Sequence, residues 1–536
     1  MHIKDRSQVY YLYVIVNKRI LSIFIPWLAL LTSMAQIQGV DTLFRAGDLI
    51  YFSELEQKSM QEFMDGNPDY LAMISAINPN ADERELDLYR DWINGIVAEM
   101  KDKKIQQLNE PKKVERIKKY FSKGLLIRYE HQAGFDDLFK FGNYNYFTAA
   151  AMYAFVLEGL GIPYQIREMP TSIFLLAYPF DQKITIDITA PGYPYFMFDH
   201  MSRENFADFV YQQGVIGETE YRNTRKRDLF ERYYFADYDL SIRGMIGMLY
   251  VNSALDRMML NQSGDAYAQF EKAFLLHPSY RTQYLLLAEL NSHLLEMDYH
   301  NPLDIGYLIK ASRLINYGVK RDVMENFLED IVYTLLVREE DEDGLTYIYE
   351  YLQKYIRDED LRRNFAFRYF YEMGRINLSN ARYQKALGYS ESAFLIRPDD
   401  EPNQKLLVRS LGGFSALASP GLVLEKILHY DTAYSAILSD EIYLMVKSEV
   451  YLRGFGEAFQ LQDGPAGVEY MAQFEKLMAA NPDTGIDHLL VGRSYSSAAI
   501  YYYRKGMVSK SRQVIERGLS YAPDNIELKL KLTSFE

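Results

Sequence analysis

The stretch Gly142-Asn143-Tyr144-Asn145-Tyr146-Phe147-Thr148, continuing through AAAMYAFVLEGL (149–160) to Gly161-Ile162-Pro163, decides how the first part of this chain folds. Residues 149–160 are rich in small side chains and apolar all round, the pattern of a helix buried on most sides. Gly161 reads as the glycine just past the helix end, and Pro163 bars any continuation. Alternation then predicts a strand over 164–169, a second over 173–178 and a third over 183–189, before the Pro191-Gly192 turn. One buried helix followed by three antiparallel strands predicts an α+β domain. Upstream, residues 41–122 read as helices, with Leu86, Leu88, Trp92, Ile93 and Ile96 at helical spacing. Asp82 and Asp91 suit a helix cap or first turn.

The order of these elements resembles the core of the transglutaminase-like (papain-like) superfamily. More narrowly, it is similar to a bacterial branch in which Tyr-Asn-Cys opens the buried helix, Pro-x-His opens one strand, and an acid followed by Thr closes the next. Here Tyr144-Asn145-Tyr146, Pro170-Thr171-Ser172 and Ile186-Asp187-Ile188-Thr189 stand at those places, with fifteen residues from Tyr146 to Gly161. The resemblance covers residues 107–203 within a domain expected over 41–235. It implies a site at Tyr146, Ser172 and Asp187 in which only the acid is retained. Thiol chemistry needs a cysteine nucleophile, an imidazole base and an orienting acid. Tyrosine cannot form a thioester, and the chain contains no cysteine. A pseudoenzyme is therefore expected, with Tyr144, Tyr146, Ser172 and Tyr178 as candidates for a cleft that binds peptide or glycan without turnover. A reorganised amidase or acyltransferase site, with Ser172 as nucleophile and His131 or His200 as base, is the catalytic alternative.

From about residue 237 the character changes to helical periodicity. Stretches 247–280, 367–400 and 492–525 carry small residues, a large residue and a terminal proline at matching places: Ala254, Ala266, Phe270, Ala273 and Pro278; Gly374, Ala386, Ser390, Ala393 and Pro398; Ala499, Ser511, Ile515, Gly518 and Pro523. Two of them depart from the pattern, with Ser390 at the large position and Ser511 at a small one. A fainter copy ends at Pro482. This pattern resembles the 34-residue tetratricopeptide repeat, in which small residues let paired helices approach and proline turns the chain. An all-α tetratricopeptide-like solenoid is expected over 240–536, holding protein partners on its concave surface. The small-residue run 412–420 (GGFSALASP) is expected to form a hinge loop.

The composition narrows the function further. The net charge is −14, and the densest basic stretch, 101–123, is broken by acids and Pro111. That argues against nucleic-acid binding and for a solvated helix pair. With no cysteine, disulfides, iron–sulfur clusters and thiolate zinc sites are excluded. His293 and His300, seven residues apart, lack a third ligand, so no cofactor or metal is expected. Lys18-Arg19 ahead of the apolar run 20–31, with a small-x-small site ending at Ala35, has the form of a signal peptide or N-terminal anchor over 1–35. The run is short for a membrane span, so membrane contact is expected only through this segment if it is not removed. The expectation from sequence is an exported, non-catalytic scaffold of the bacterial cell envelope.

Overall fold

The computed structural model describes residues 39–130, 132–169, 172–188, 200–234 and 239–534. The proposed N-terminal leader lies outside the described residues, as do Pro170, Thr171, Thr189 and the Pro191-Gly192 turn. The chain divides into two compact units, the first ending at Arg321 and the second beginning at Asp322.

The first unit is built around the helix Tyr146–Gly159, buried at Tyr146 to Ala154 and again at Val156 and Leu157. Asn145 caps it: its Oδ1 accepts from Thr148 N at 2.9 Å, and its own amide donates to Thr148 Oγ1 at 2.9 Å. At the other end Gly161 has φ +68°. Its amide donates to Glu158 O while Ile162 N donates to Leu157 O, a closed Schellman turn. The chain then enters β3 (Tyr164–Met169), β4 (Ser172–Ala177) and β5 (Ile184–Asp187). These pair antiparallel, and the short β6 (Asp239–Leu240) adds to the free edge of β3, giving the order β5-β4-β3-β6. A parallel pair, β1 (Arg128–Tyr129) with β2 (Asn143–Tyr144), precedes the buried helix. The helix packs on β4 and β3 on one side and on helix Glu83–Asp102 on another. Asp82 caps that helix through Glu85 N at 2.9 Å. Asp91 lies in its interior and caps nothing.

The change of sequence character near residue 237 falls inside this unit. Helix Ile242–Met259 packs on both Tyr70–Ser75 and Tyr146–Gly159. Its hairpin partner, Ser263–Leu276, is buried without interruption from Ala266 to Leu276, including Gln269, Glu271 and Lys272. A charge can stay in such a place only if it is paired. Lys272 Nζ meets Glu56 Oε1 at 2.6 Å, and Glu271 Oε2 meets Lys310 Nζ at 2.7 Å.

The second unit is a stack of helical hairpins. Helix Glu359–Ser379 pairs with Tyr383–Ile396, Glu401–Leu417 is followed by Pro420–Ala433, Glu441–Gln460 pairs with Gly464–Ala480, and His488–Arg504 pairs with Val508–Tyr521. The first helices of successive hairpins pack side by side, and the last helix, Ile526–Thr533, covers His488–Arg504. The unit is thus all-α and compatible with a solenoid.

The repeat pattern has a backbone counterpart in both units. In the hairpins ending at Pro278, Pro398, Pro482 and Pro523, the tight link contains a left-handed residue: Asn261, Ala381, Gln462 and Gly506, with φ between 56° and 73°. The residue before each proline takes nearly one conformation: His277, Arg397, Asn481 and Ala522 have φ from −136° to −131° and ψ from 71° to 78°. Proline imposes this, because its ring excludes the helical conformation from the residue before it. The two departures from the pattern are also accounted for. Ser511 Oγ donates to Ala499 O across its hairpin at 2.8 Å, and Ser390 Oγ donates to Ala386 O at 2.7 Å.

The expected hinge at 412–420 is not a loop. Helix Glu401–Leu417 runs through Gly412 and Gly413, and only Ala418 and Ser419 link it to the next helix. A Cβ on Gly413 would stand 2.2 Å from Cδ1 of Tyr383, so this glycine admits a ring rather than a turn.

Gly518 illustrates what the small positions do. A Cβ there would lie 2.8 Å from Cβ and Cγ of Tyr495 and 2.9 Å from Leu528 Cδ1. Tyr495 is fully buried and cannot retreat. Gly518→Val should therefore destabilise the second unit by about 1–3 kcal/mol or more. Urea denaturation of the variant checks this, and an unchanged midpoint would refute the close-packing role.

Candidate functional site

Tyr146 is the first residue of the buried helix, as the motif places it, and Asn145 and Thr148 fix that start. The tight turn at Gly161 sends the chain straight back into β3, so the helix start lies toward the Met169 end of the sheet. Ser172, the first residue of β4, pairs with Met169, and Asp187, the last of β5, pairs with Phe174, two residues along β4 from Ser172. The backbone thus gathers Tyr146, Ser172 and Asp187 at one end of the helix–sheet layer. The side chains of Ser172, Asp187 and His200 lie outside the described set, as does the whole of His131.

Tyr146 is only 4% exposed. Its ring packs on Tyr129 with centroids 4.9 Å apart, and Tyr144 meets the same Tyr129 edge-on at 5.8 Å. Burial, with Tyr146 alongside, raises the Tyr144 hydroxyl pKa above its usual value. Three tyrosines thus occupy the region where the resemblance implies a nucleophile.

Tyr178 does not join them. It follows the far end of β4, with φ +54°, and its amide donates to Pro163 O at 2.8 Å. Six strand residues, about 20 Å of chain, separate it from Ser172. The expectation that Tyr178 lines the same cleft is corrected: it closes the turn at the C-terminal end of the helix.

Sequence reasoning missed a cavity of about 320 Å³ on the other flank of the helix start. Asn145 and Thr148 line it together with Asn78, Asp136, Asn252 and Asp256 among others. It joins segments near residues 78, 134, 145 and 253, and no local pattern announces such a meeting. The one local signal is Gly134-Phe135-Asp136-Asp137, where Asp137 Oδ2 accepts from Gly134 N at 2.8 Å to start helix Phe135–Phe141. The charged groups lining the cavity are carboxylates alone, so it favours amines and hydroxyls over anions.

A serine, a histidine and a carboxylate also meet elsewhere in this unit. Ser263 Oγ lies 3.1 Å from His293 Nε2 and bonds Glu289 as well. Glu289 Oε1 is 3.7 Å from that same Nε2. A proton relay needs the carboxylate on the opposite ring nitrogen, so this trio lacks the relay geometry. His293 stacks on Tyr307 with ring centroids 3.8 Å apart, a packing role, and His300 lies beyond the end of its helix. Among the described residues no group of three or more potential ligands could hold a metal ion, and no helix is long and apolar enough to cross a membrane. Compared with family models and with curated proteins, the chain matches neither.

Proposed function

We propose that this protein is a non-catalytic interaction scaffold of the bacterial cell envelope: a transglutaminase-like domain without its chemistry, joined to a tetratricopeptide-like solenoid that holds protein partners. The observation that carries the reading is Tyr146, buried at the first position of the central helix in a chain without cysteine. A phenol there fills space against Tyr129 and offers no nucleophile competent for acyl transfer. The recurrent hairpin geometry in the second unit supports the binding half of the proposal, because stacked hairpins present an extended surface with no machinery of their own.

Wild-type protein should show no hydrolysis or transfer of peptide amides. The double variant Tyr146→Cys, Ser172→His should gain slow thiol-dependent turnover, because it restores nucleophile and base beside Asp187. Wild-type turnover abolished by Ser172→Ala would overturn the proposal in favour of a reorganised amidase or acyltransferase.

A second reading rests on the cavity beside Asn145 and Thr148. Its amides and carboxylates suit the hydroxyls of a glycan or the amine of a peptide, held without cleavage. Residues 39–321 and 322–536, presented separately to an envelope extract, distinguish the two. Retention of protein by the second supports the scaffold, whereas retention of glycan by the first alone supports the second reading.

A further inference from the structure

The stretch 339–360 holds nine acids and two cations, in a chain that carries −14 over 536 residues. Its middle forms helix Glu342–Tyr355 of the second unit. That helix buries Leu345, Ile348 and Leu352 and leaves a row of tyrosines outside. Tyr347, Tyr351 and Tyr355 recur every four residues, the spacing of one helix face. Tyr347 is 54% exposed and Tyr355 43%, with Tyr351 half-buried between them. Adjacent ring centroids stand 6.3 and 4.9 Å apart. The remaining tyrosine, Tyr349, lies on the opposite side of the helix and stacks on Tyr369 at 4.0 Å.

Single exposed rings are commonplace, but a row of them on one helix face marks an interaction surface. The acids decide what it meets. Asp341 and Asp358 cap helices through Gly344 N and Leu361 N, while Glu342 and Glu359 pair with Arg382 and Arg362. Asp343 and Glu350 are exposed and pair with no cation among the described residues. Seven residues apart, they share a helix face along the outer side of the tyrosine row. The faces of aromatic rings are electronegative, so rings and carboxylates attract the same kind of group. One cation is already there: Lys354 Nζ stands 5.0 Å from the centroid of Tyr355.

We propose that this face docks an extended arginine-rich segment of a partner protein, its guanidinium groups on Tyr347, Tyr351 and Tyr355 and beside Asp343 and Glu350. Arginines at every second residue of an extended chain recur at about 6.5 Å, close to the spacing of the rings. A planar guanidinium lies flat on a phenol ring while its edge donates to a carboxylate, which an ammonium group does less well. The unpaired acids favour a cation over a neutral glycan, whose hydroxyls gain little from the local charge. The inference rests on the reading of the second unit as a holder of protein partners, and gives that reading a surface and a partner chemistry.

The test is fluorescence anisotropy of a labelled Arg/Ser repeat peptide titrated with the full-length protein. Saturable binding is expected, weakened by added salt. Tyr347→Ser with Tyr355→Ser keeps every charge and alters only exposed side chains. It should weaken binding about fivefold or more while circular dichroism stays unchanged. Asp343→Asn with Glu350→Gln should also weaken binding and reduce its salt dependence. The Lys/Ser peptide should bind less tightly, and the Glu/Ser peptide should not bind. Binding indifferent to the tyrosine variant would overturn the proposal, since it would show only attraction to an acidic chain. Displacement of the peptide by chitotriose, a neutral oligosaccharide, would overturn it in favour of glycan. No binding of the Arg/Ser peptide, while residues 322–536 retain envelope protein, would overturn this surface and leave the scaffold reading standing. Failure of both would remove the two together.

Discussion

Replacing Glu168 by glutamine should cost about 3–5 kcal/mol of folding stability. Glu168 lies on β3 with its side chain 1% exposed, and both carboxylate oxygens receive Arg281, at 3.0 and 2.6 Å. Arg281, 3% exposed on helix Tyr280–Leu295, has its guanidinium 5.1 Å from the centroid of the Tyr234 ring. The pair ties the sheet to a helix more than a hundred residues further along the chain. Glutamine would remove the charge that both guanidinium nitrogens bond and leave the buried cation facing a neutral amide, the costly half of a broken pair. Glu168→Met with Arg281→Met removes both charges and should recover most of the loss. Urea denaturation near pH 7 measures all three proteins. A single variant within about 1 kcal/mol of wild type would show that solvent reaches the pair.

Lowering the pH from 6.5 to 4 should remove about 3 kcal/mol of stability through His277 alone. This imidazole closes helix Ser263–Leu276, and its Nδ1 lies 3.1 Å from where a Cβ on Gly244 would stand. Its Nε2 is buried with no hydrogen-bond partner among the described residues. Burial first, then the Arg281 cation, hold the pKa down at about 4; Glu168 opposes the shift and Arg243 adds to it. The unfolded chain takes up this proton near pH 6.5 and the folded chain only near 4. Between those values the unfolded state binds more protons, so stability falls as the pH falls, and below 4 this group adds no further loss. His277→Asn removes the titration and suits the backbone, since Asn481 adopts the same conformation at the matching place. Carboxylates titrate in both proteins, so the difference between their stability–pH slopes isolates the histidine. Identical slopes would mean that the ring is charged in the native state.

Much of this architecture was legible in the sequence because its determinants are local. The helix at Tyr146 begins with an asparagine that caps it and ends at a glycine with positive φ, and both signals lie within a few residues of their effect. The repeat hairpins were legible for the same reason: proline fixes the residue before it wherever it falls. The errors came where one residue type serves two purposes. Gly412-Gly413 reads as a hinge, yet Gly413 is there to admit Tyr383 from another helix. Tyr178 follows the motif in sequence, but an extended strand carries it to the wrong end of the layer.

By itself, then, the sequence determined the elements, the tyrosine at the head of the central helix and the repeating turn, since backbone preferences and side-chain chemistry act over a few residues. Tertiary structure alone decided which charges share the core. Lys272 and Glu56 are 216 residues apart, and Arg281 and Glu168 are 113 apart. Desolvation makes a buried charge depend on whichever partner the fold delivers, and no local pattern encodes that delivery.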